Sequence, residues 1–403
     1  MSNLKVDGVD KLYPSGSLAL YDINLEARDK EFLVIVGGEA SGKSSLLRVI
    51  AGLEQPSDGG IFIGGKDMTE ADPKDRDIAM VFKSSTLYPA LSVFDNMAFG
   101  LRLRKAPAAL IEQRVKSAAN ILGLTDVLYK KPKALSAIQK QRVALGRAIV
   151  REPKIYLLDE PLSGLDEKLQ AELLNVIVNL QARMEGTFVY ATKNVAEAMT
   201  IGTRIAVLKN GILQQVDLPA NLYDYPANAY VAFYIGLPTI NFMNKAKIIK
   251  DGDGAFAVEG DLKIPLGEKV VKRFEGLNEY ANSDKTLIVG IRPEDAETGD
   301  EGFDAEIVKI ESDGDRSFAE CKIASFDFVV KTKEGASVGK TKLKIDNNRI
   351  YLFDGETRLT LLSRDEGYIK TDFADADYKP YTFKEEEEIK EKFKEKKSNK
   401  KKK

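Results

Sequence analysis

Gly37-Gly38-Glu39-Ala40-Ser41-Gly42-Lys43-Ser44 decides the reading of this chain. It fits the pattern G-x-x-x-x-G-K-[ST], and its surroundings are the ones the pattern needs. Before it runs the continuous apolar stretch Phe32–Val36; after it, Ser44 to Ala51 has helical spacing. In a strand–loop–helix of this kind, glycines let backbone N–H groups curl around phosphate oxygens, and the helix N-terminus adds partial positive charge. Lys43 is expected to reach the β- and γ-phosphates, and the Ser44 hydroxyl to ligate Mg²⁺.

Working outward, Ile155-Tyr156-Leu157-Leu158-Asp159-Glu160 is an apolar strand ending in two acids. Ligands of α/β sheets bind at strand ends. Asp159 is therefore expected to orient Mg²⁺, and Glu160 to polarise an attacking water. Further short apolar runs, Ile78–Phe82, Phe188–Tyr190 and Ile205–Leu208, suit strands covered on both faces, as in a parallel sheet. Helical patterns lie between them, from Pro107 to Leu124 and from Ile138 to Val150, which makes the first part an α/β fold. From about Pro238 the pattern changes. Thr286–Val289, Phe303–Glu311, Ser317–Ile323 and Phe326–Lys331 alternate between Gly, Asp and Asn turns, as in a small β-barrel domain. From about Thr382 the chain is nearly all Glu and Lys, with helix-favouring i,i+4 pairs Glu386/Lys390 and Glu388/Lys392, and reads as a solvated tail, disordered or frayed helical. Contact with anionic lipid or RNA is the lesser alternative for that tail.

Composition narrows the function classes. A length of 403 residues suits two or three domains, and 43% hydrophobic with 30% charged residues is globular. A net charge of −2 gives no bulk argument for a nucleic-acid partner. One cysteine, Cys321, excludes an internal disulfide and suits a reducing cytosol. The N-terminus carries no apolar secretory segment, and no apolar run approaches the roughly 18–20 residues that span a bilayer. Any membrane role is expected to pass through another protein. Histidine and tryptophan are absent, so no mechanism needing an imidazole is available.

Beyond the two motifs, the chain resembles the ATPase subunits of ABC importers, specifically the long sugar-importer type related to the maltose transporter ATPase. The resemblance is carried over residues 3 to 245 by Leu87-Tyr88-Pro89, by Asp95 to Leu101, by Gln139 to Pro153, by Asp159 to Asp166, and by Leu222-Tyr223-Asp224 with Pro226-Ala227-Asn228. Ile291-Arg292-Pro293-Glu294-Asp295 resembles a motif of the family's OB-type regulatory domain. The resemblance implies an ABC-type nucleotide-binding domain over 1–237 with a helical subdomain about 88–152, an OB-type domain over 238–375, and the charged tail over 376–403. It also implies a head-to-tail dimer of nucleotide domains that sandwiches ATP. The loop Gly37–Ser44, with Ser45, would face Ser136 and Asp166 of the other subunit, with Tyr13 stacked on adenine. Two membrane-spanning permease subunits would be contacted near Ser84–Ser92, and an extracellular solute-binding protein would take part indirectly. The implied place is the cytoplasmic face of the cell membrane, and the implied cargo is carbohydrate.

Departures from that family fall on functional positions. Its Leu-Ser-Gly-Gly-Gln signature is Leu135-Ser136-Ala137-Ile138-Gln139, so a branched side chain stands where glycine lets a helix N-terminus approach phosphate. The glutamine after Val-Phe is Lys83, which donates but cannot accept. The switch histidine is Lys193, and Glu39-Ala40 replace Ser and Gly in the phosphate loop. Losing one positioning group often costs on the order of 10²-fold in rate. Slowed hydrolysis is therefore the expectation, with a fully active ATPase as the alternative. Lys83 and Lys193 alter the site on the chain's own loop, and Ile138 the partner's, so the second subunit is either an identical copy or an intact paralogue. A regulatory, non-hydrolysing scaffold and a DNA-repair or translation ABC protein are the readings from other classes.

Overall fold

The computed structural model describes residues 3–84, 86–252, 254–313, 316–333, 335–370, 380–389 and 391. The chain divides into two compact units between Pro219 and Ala220.

The first unit is built on a six-stranded sheet. Its strand order is Ile212–Asp217, Arg204–Lys209, Phe32–Val36, Thr187–Thr192, Ile155–Asp159, Ile78–Val81. All neighbours are parallel except the Ile212–Asp217/Arg204–Lys209 hairpin. Phe32–Val36 and Ile155–Asp159 are buried at every residue, which explains their unbroken apolarity. The register fixes the site. Val36 pairs with Thr192, Asp159 with Ala191, and Val81 with Leu158. The chain therefore leaves four parallel strands at one edge, and Gly37, Lys193, Glu160 and Lys83 all emerge there. A four-stranded antiparallel sheet, Leu18–Ala27, Leu4–Leu12, Asp58–Ile63, Lys66–Asp67, accompanies it. Nothing in the sequence reading had anticipated that sheet.

Helices Val93–Leu103, Ala108–Ile121 and Ala137–Ile149 occupy the region expected to be a helical subdomain. The first is capped by Ser92, whose hydroxyl accepts from the Asp95 N–H. Buried Asn96 ties the preceding turn down by donating to the carbonyls of Tyr88, Leu91 and Ser92.

The second unit holds a five-stranded antiparallel sheet and a closed five-stranded barrel. The barrel order is Ala296–Gly299, Phe326–Lys331, Arg316–Ile323, Phe303–Asp313, Gly339–Ile345. Its core includes Ile307, Ala319, Cys321, Phe328 and Leu343. The expected barrel is therefore present, but the strand read from Thr286–Val289 belongs to the open sheet, as Leu287–Ile291. The helices Pro219–Asp224 and Ala229–Tyr234 fall at and beyond the division, earlier than the boundary expected at 237. The cause is buried Arg292, whose guanidinium donates to the carbonyls of Tyr223, Ala232 and Ile235 and so holds that helical segment to the second unit.

The tail is helical in part and, among the described residues, differs from a solvated tail only in two buried residues. Residues 383–389 are helical. Thr382 caps them, its hydroxyl accepting from the Glu385 N–H while Glu385 accepts from the Thr382 N–H. Glu386 and Ile389 are buried. One capping box and one apolar residue thus order a segment whose composition suggested solvation. Lys390 and Lys392, the basic halves of the expected pairs, lie outside the described residues.

Candidate nucleotide site

The turn from strand to helix is set by sterics. A Cβ on Gly37 would lie 2.2 Å from the Leu208 carbonyl oxygen, and one on Gly42 2.6 Å from that of Ala19. Gly42 has φ of 104°, a conformation that L side chains rarely adopt. Ala40 sits at φ 57° in the same loop, so the alanine found at a glycine position carries left-handed strain.

Lys43 is 4% exposed. Its ammonium donates to the carbonyls of Gly37 (2.7 Å) and Gly38 (2.8 Å) and to Ser41 Oγ (3.2 Å), and stands 4.0 Å from Glu160 Oε1. Burial pushes its pKa down, opposed by the carboxylates of Glu160 and Asp159. Ser44 Oγ donates to Asp159 Oδ1 at 2.9 Å, and burial raises the Asp159 pKa. Ser44 and Asp159 thus offer two hard oxygens side by side, a set that fits Mg²⁺. Tyr13 is hydrogen-bonded to Ser45, O to O 3.0 Å, with the Lys11 ammonium 5.2 Å from its ring centroid.

Both lysines at the departing positions have acids as partners. Lys83 Nζ donates to Glu160 Oε2 at 2.6 Å, and that hydrogen bond raises its pKa. The Glu160 carboxylate is thereby held between two ammoniums. Its backbone has φ of 44°, a strained setting at a strand end. Lys193 Nζ lies 3.2 Å from Glu39 Oε1, both side chains being largely exposed. Glu39 of the phosphate loop is therefore turned toward the Lys193 ammonium.

Ser136 and Asp166 do not join this cluster. Ser136 caps the helix Ala137–Ile149 in a capping box with Gln139, and Asp166 caps Glu167–Arg183 by accepting from the Leu169 N–H. Among the described residues neither makes a hydrogen bond or ion pair to the phosphate loop. Of the segment Ser84–Ser92, Ser85 lies outside the described residues. Two connections escaped the sequence reading. Gln141 Nε2 donates to the Pro161 carbonyl at 2.6 Å, tying the signature helix to the strand end that carries Glu160. Glu197 collects the hydroxyls of Tyr190 and Thr192, 2.8 Å each, beside the switch position. The first pairs residues twenty positions apart that the fold brings together; the second is local, but its hydrogen bonds depend on how the strand end turns into the next helix.

A family model described as ABC transporter matches residues 20–163. The oligosaccharides import ATP-binding protein MsmX of Bacillus subtilis (strain 168) is 40% identical over 377 residues, 90% of this chain and 100% of that protein. The trehalose/maltose import ATP-binding protein MalK of Thermococcus litoralis is 41% identical over 360 residues, 84% of this chain and 94% of that protein. Among solved structures, CbiO1 from Clostridium perfringens, part of the ABC transporter complex cbiONQ, matches with a TM-score of 0.52 at 30% identity, over 54% of this chain and 89% of that one.

Proposed function

The chain belongs to the ABC transporter ATP-binding family, a P-loop NTPase fold followed by a β-rich C-terminal region, and from that premise we propose that it is the nucleotide-binding subunit of a carbohydrate importer with slowed ATP hydrolysis. The relatives MsmX and MalK are import proteins for oligosaccharides and for trehalose/maltose, which supports a carbohydrate solute. The subunit would sit at the cytoplasmic face of the membrane through permease partners; among the described residues no helix is long and apolar enough to cross a bilayer.

Binding draws on the loop Gly37–Ser44, whose N–H groups and Lys43 suit phosphate oxygens, and on Tyr13 as a platform for adenine. Ser44 and Asp159 would hold Mg²⁺ beside the phosphates. When bound, the ion neutralises charge on the β- and γ-oxygens. Slow turnover rests on one observation: the Glu160 carboxylate is engaged by Lys83 at 2.6 Å and faces Lys43 at 4.0 Å. A carboxylate that must shed an ammonium before it can polarise water is a weaker base. Ser136 and Asp166 would act across the dimer, with Ile138 crowding the partner's phosphate. The second subunit is either a copy of this chain or an intact paralogue.

Permease docking is favoured by a cavity of about 510 Å³ lined by Phe82, Lys83, Thr86, Phe99, Arg147 and Arg151 among others, beside the Ser84–Ser92 segment. Arg147 donates to the Thr86 carbonyl at 2.8 Å and stacks over Tyr88, which supports that turn from below.

The test measures ATP affinity and hydrolysis together, for the chain alone and with integral membrane subunits. Lys83→Gln, Ile138→Gly and Lys193→His combined should raise turnover by at least about a hundredfold, each altered group acting on the order of 1 kcal/mol or more. Wild-type turnover at ordinary transporter rates would sink the slow-hydrolysis reading. Failure to co-purify with any integral membrane subunit would sink the transport reading.

A further inference from the structure

Charge is unevenly spread along the chain. Residues 88–152 hold twelve Lys and Arg against four Asp and Glu, whereas the whole chain has a net charge of −2. Three of those four acids are already matched inside this stretch, Asp95 with Arg102 at 2.8 Å, Glu112 with Lys116 at 2.7 Å and Glu152 with Arg114 at 2.5 Å. Lys130, Lys131 and Lys133 are exposed, and among the described residues none of the three makes an ion pair. A surplus of one sign this concentrated gives one face of the molecule a field of its own.

The three lysines adjoin an exposed aromatic pair. Tyr129 is 74% exposed, and its ring stacks on Phe94 with centroids 6.1 Å apart. Backbone pairing fixes the place: the Val93 N–H donates to the Lys130 carbonyl at 2.9 Å and the Phe94 N–H to the Leu128 carbonyl at 2.7 Å. The stretch Leu128 to Lys130 is thus bound to the start of the helix Val93–Leu103. On that helix the Arg102 guanidinium lies 5.9 Å from the Phe94 centroid. The segment Ser84–Ser92 runs into the same helix start, where Ser92 is the cap and Asn96 holds the carbonyls of Tyr88, Leu91 and Ser92. A permease seated on that segment brings its bilayer to this side of the molecule. Tyrosine ringed by lysine and arginine is the composition of a membrane–water interface, where the ring lies at headgroup level and the cations meet lipid phosphates. A planar surface meets this face alone, and acidic faces more than about 10 Å away are screened at about 0.1 M salt. A flexible polyanion would extend past this face onto acidic ones.

We propose that the Phe94–Tyr129 edge, with Lys130, Lys131 and Lys133, rests on the headgroups of an anionic lipid surface beside the permease. The inference rests on the permease-contact reading above, which gives the edge its orientation. The lysine ammoniums pair with lipid phosphates, and the Tyr129 ring enters the headgroup layer. The contact adds a second, salt-sensitive hold on the membrane to the one made through protein.

The chain has no tryptophan, so Tyr129→Trp places a single indole at the proposed contact. Its emission, followed in the full chain, should move to shorter wavelength on vesicles of phosphatidylcholine with about one third phosphatidylglycerol, and should not move on phosphatidylcholine alone. The change should disappear in about 1 M salt, where the Debye length falls to about 3 Å. Each lysine near an anionic surface is worth about fivefold in binding, so Lys130→Gln, Lys131→Gln and Lys133→Gln together should weaken the vesicle titration by at least about tenfold. The same neutralisation at Lys269, Lys272 and Lys344, exposed in the second unit, should change it by less than about twofold. No emission change on anionic vesicles overturns the proposal. So does a change that survives the three patch substitutions, which assigns the attraction to the Lys-rich tail. Tighter binding to poly(U) than to vesicles at equal charge concentration assigns the patch to RNA and overturns it too. Failure of the chain to co-purify with integral membrane subunits removes the permease reading, and this inference with it; co-purification without an emission change overturns the inference alone. The substituted residues are all exposed, so the variants should keep the wild-type unfolding midpoint.

Discussion

Lys43 in the first unit and Arg292 in the second are both buried cations that donate to backbone carbonyls, and they do opposite things. Lys43 donates to Gly37 and Gly38, carbonyls of a glycine loop, and to Ser41 Oγ. Arg292, fully buried, donates to Tyr223, Ala232 and Ile235 and lies over the rings of Tyr223 at 4.0 Å and Tyr351 at 5.4 Å. A Cβ on Gly236 would come within 2.5 Å of its Nη1. Lys43's acceptors are loop groups whose place a phosphate can take; Arg292's belong to a helical segment with nothing to replace them. One arrangement is exchangeable and the other permanent. A motif read beside a ligand site and a motif read in a β-rich domain therefore carry different kinds of function, although each centres on one buried cation.

The largest expected effect separates the two directly. Arg292→Met should destabilise the chain by about 3–5 kcal/mol in denaturant unfolding, because three carbonyls, two of them in buried hydrogen bonds, lose their donor. Lys43→Met should shift unfolding by less than about 1 kcal/mol yet weaken ATP binding by roughly 100-fold or more. Equal destabilisation by the two changes would break the comparison.

A smaller effect sharpens the permanent side. Asp295, three residues after Arg292, is buried, and burial raises its pKa to about 6 against the opposing pull of Arg349, whose Nε lies 2.9 Å away. Glu294, Asp346 and Arg292 also act on it. Its Oδ2 is buried without a hydrogen-bond partner, which is why burial outweighs the ion pair. The folded chain holds this proton more tightly than the unfolded one. The contribution of Asp295 to stability is therefore fully present below the ordinary carboxylate value of 3.8 and is lost as pH rises to about 6, a loss on the order of 2–3 kcal/mol for such a shift. Unfolding of Asp295→Asn followed across that range should lack this component; an unchanged pH profile would assign the dependence elsewhere.

The smallest effect lies on the exchangeable side. Ala40→Gly should relieve the left-handed strain at φ 57° and gain about 0.5–1 kcal/mol after the extra backbone entropy of glycine. A loss in thermal unfolding would mean that the alanine methyl has packing value that outweighs the strain.

Much of the first unit was legible because its signals are local. The strand Phe32–Val36 and the phosphate loop sit within one stretch of chain, and Asp159-Glu160 end an apolar run. The central pairing of the antiparallel sheet was not, since Leu4–Leu12 and Asp58–Ile63 pair across about fifty residues. In the tail the helix-favouring pairs are legible, but Ile389 finds a buried place that no window of sequence reveals.

The sequence by itself determined the phosphate loop, the acids at the strand end, the family and the altered positions 39, 40, 83, 138 and 193, because each is a residue type at a fixed spacing. Tertiary structure alone decided what the altered residues meet. The parallel register sets Val81 opposite Leu158 and Val36 opposite Thr192, so Lys83 falls on Glu160 and Lys193 on Glu39. Each cation reaches its carboxylate across the edge of a sheet, a distance the chain spans only when folded.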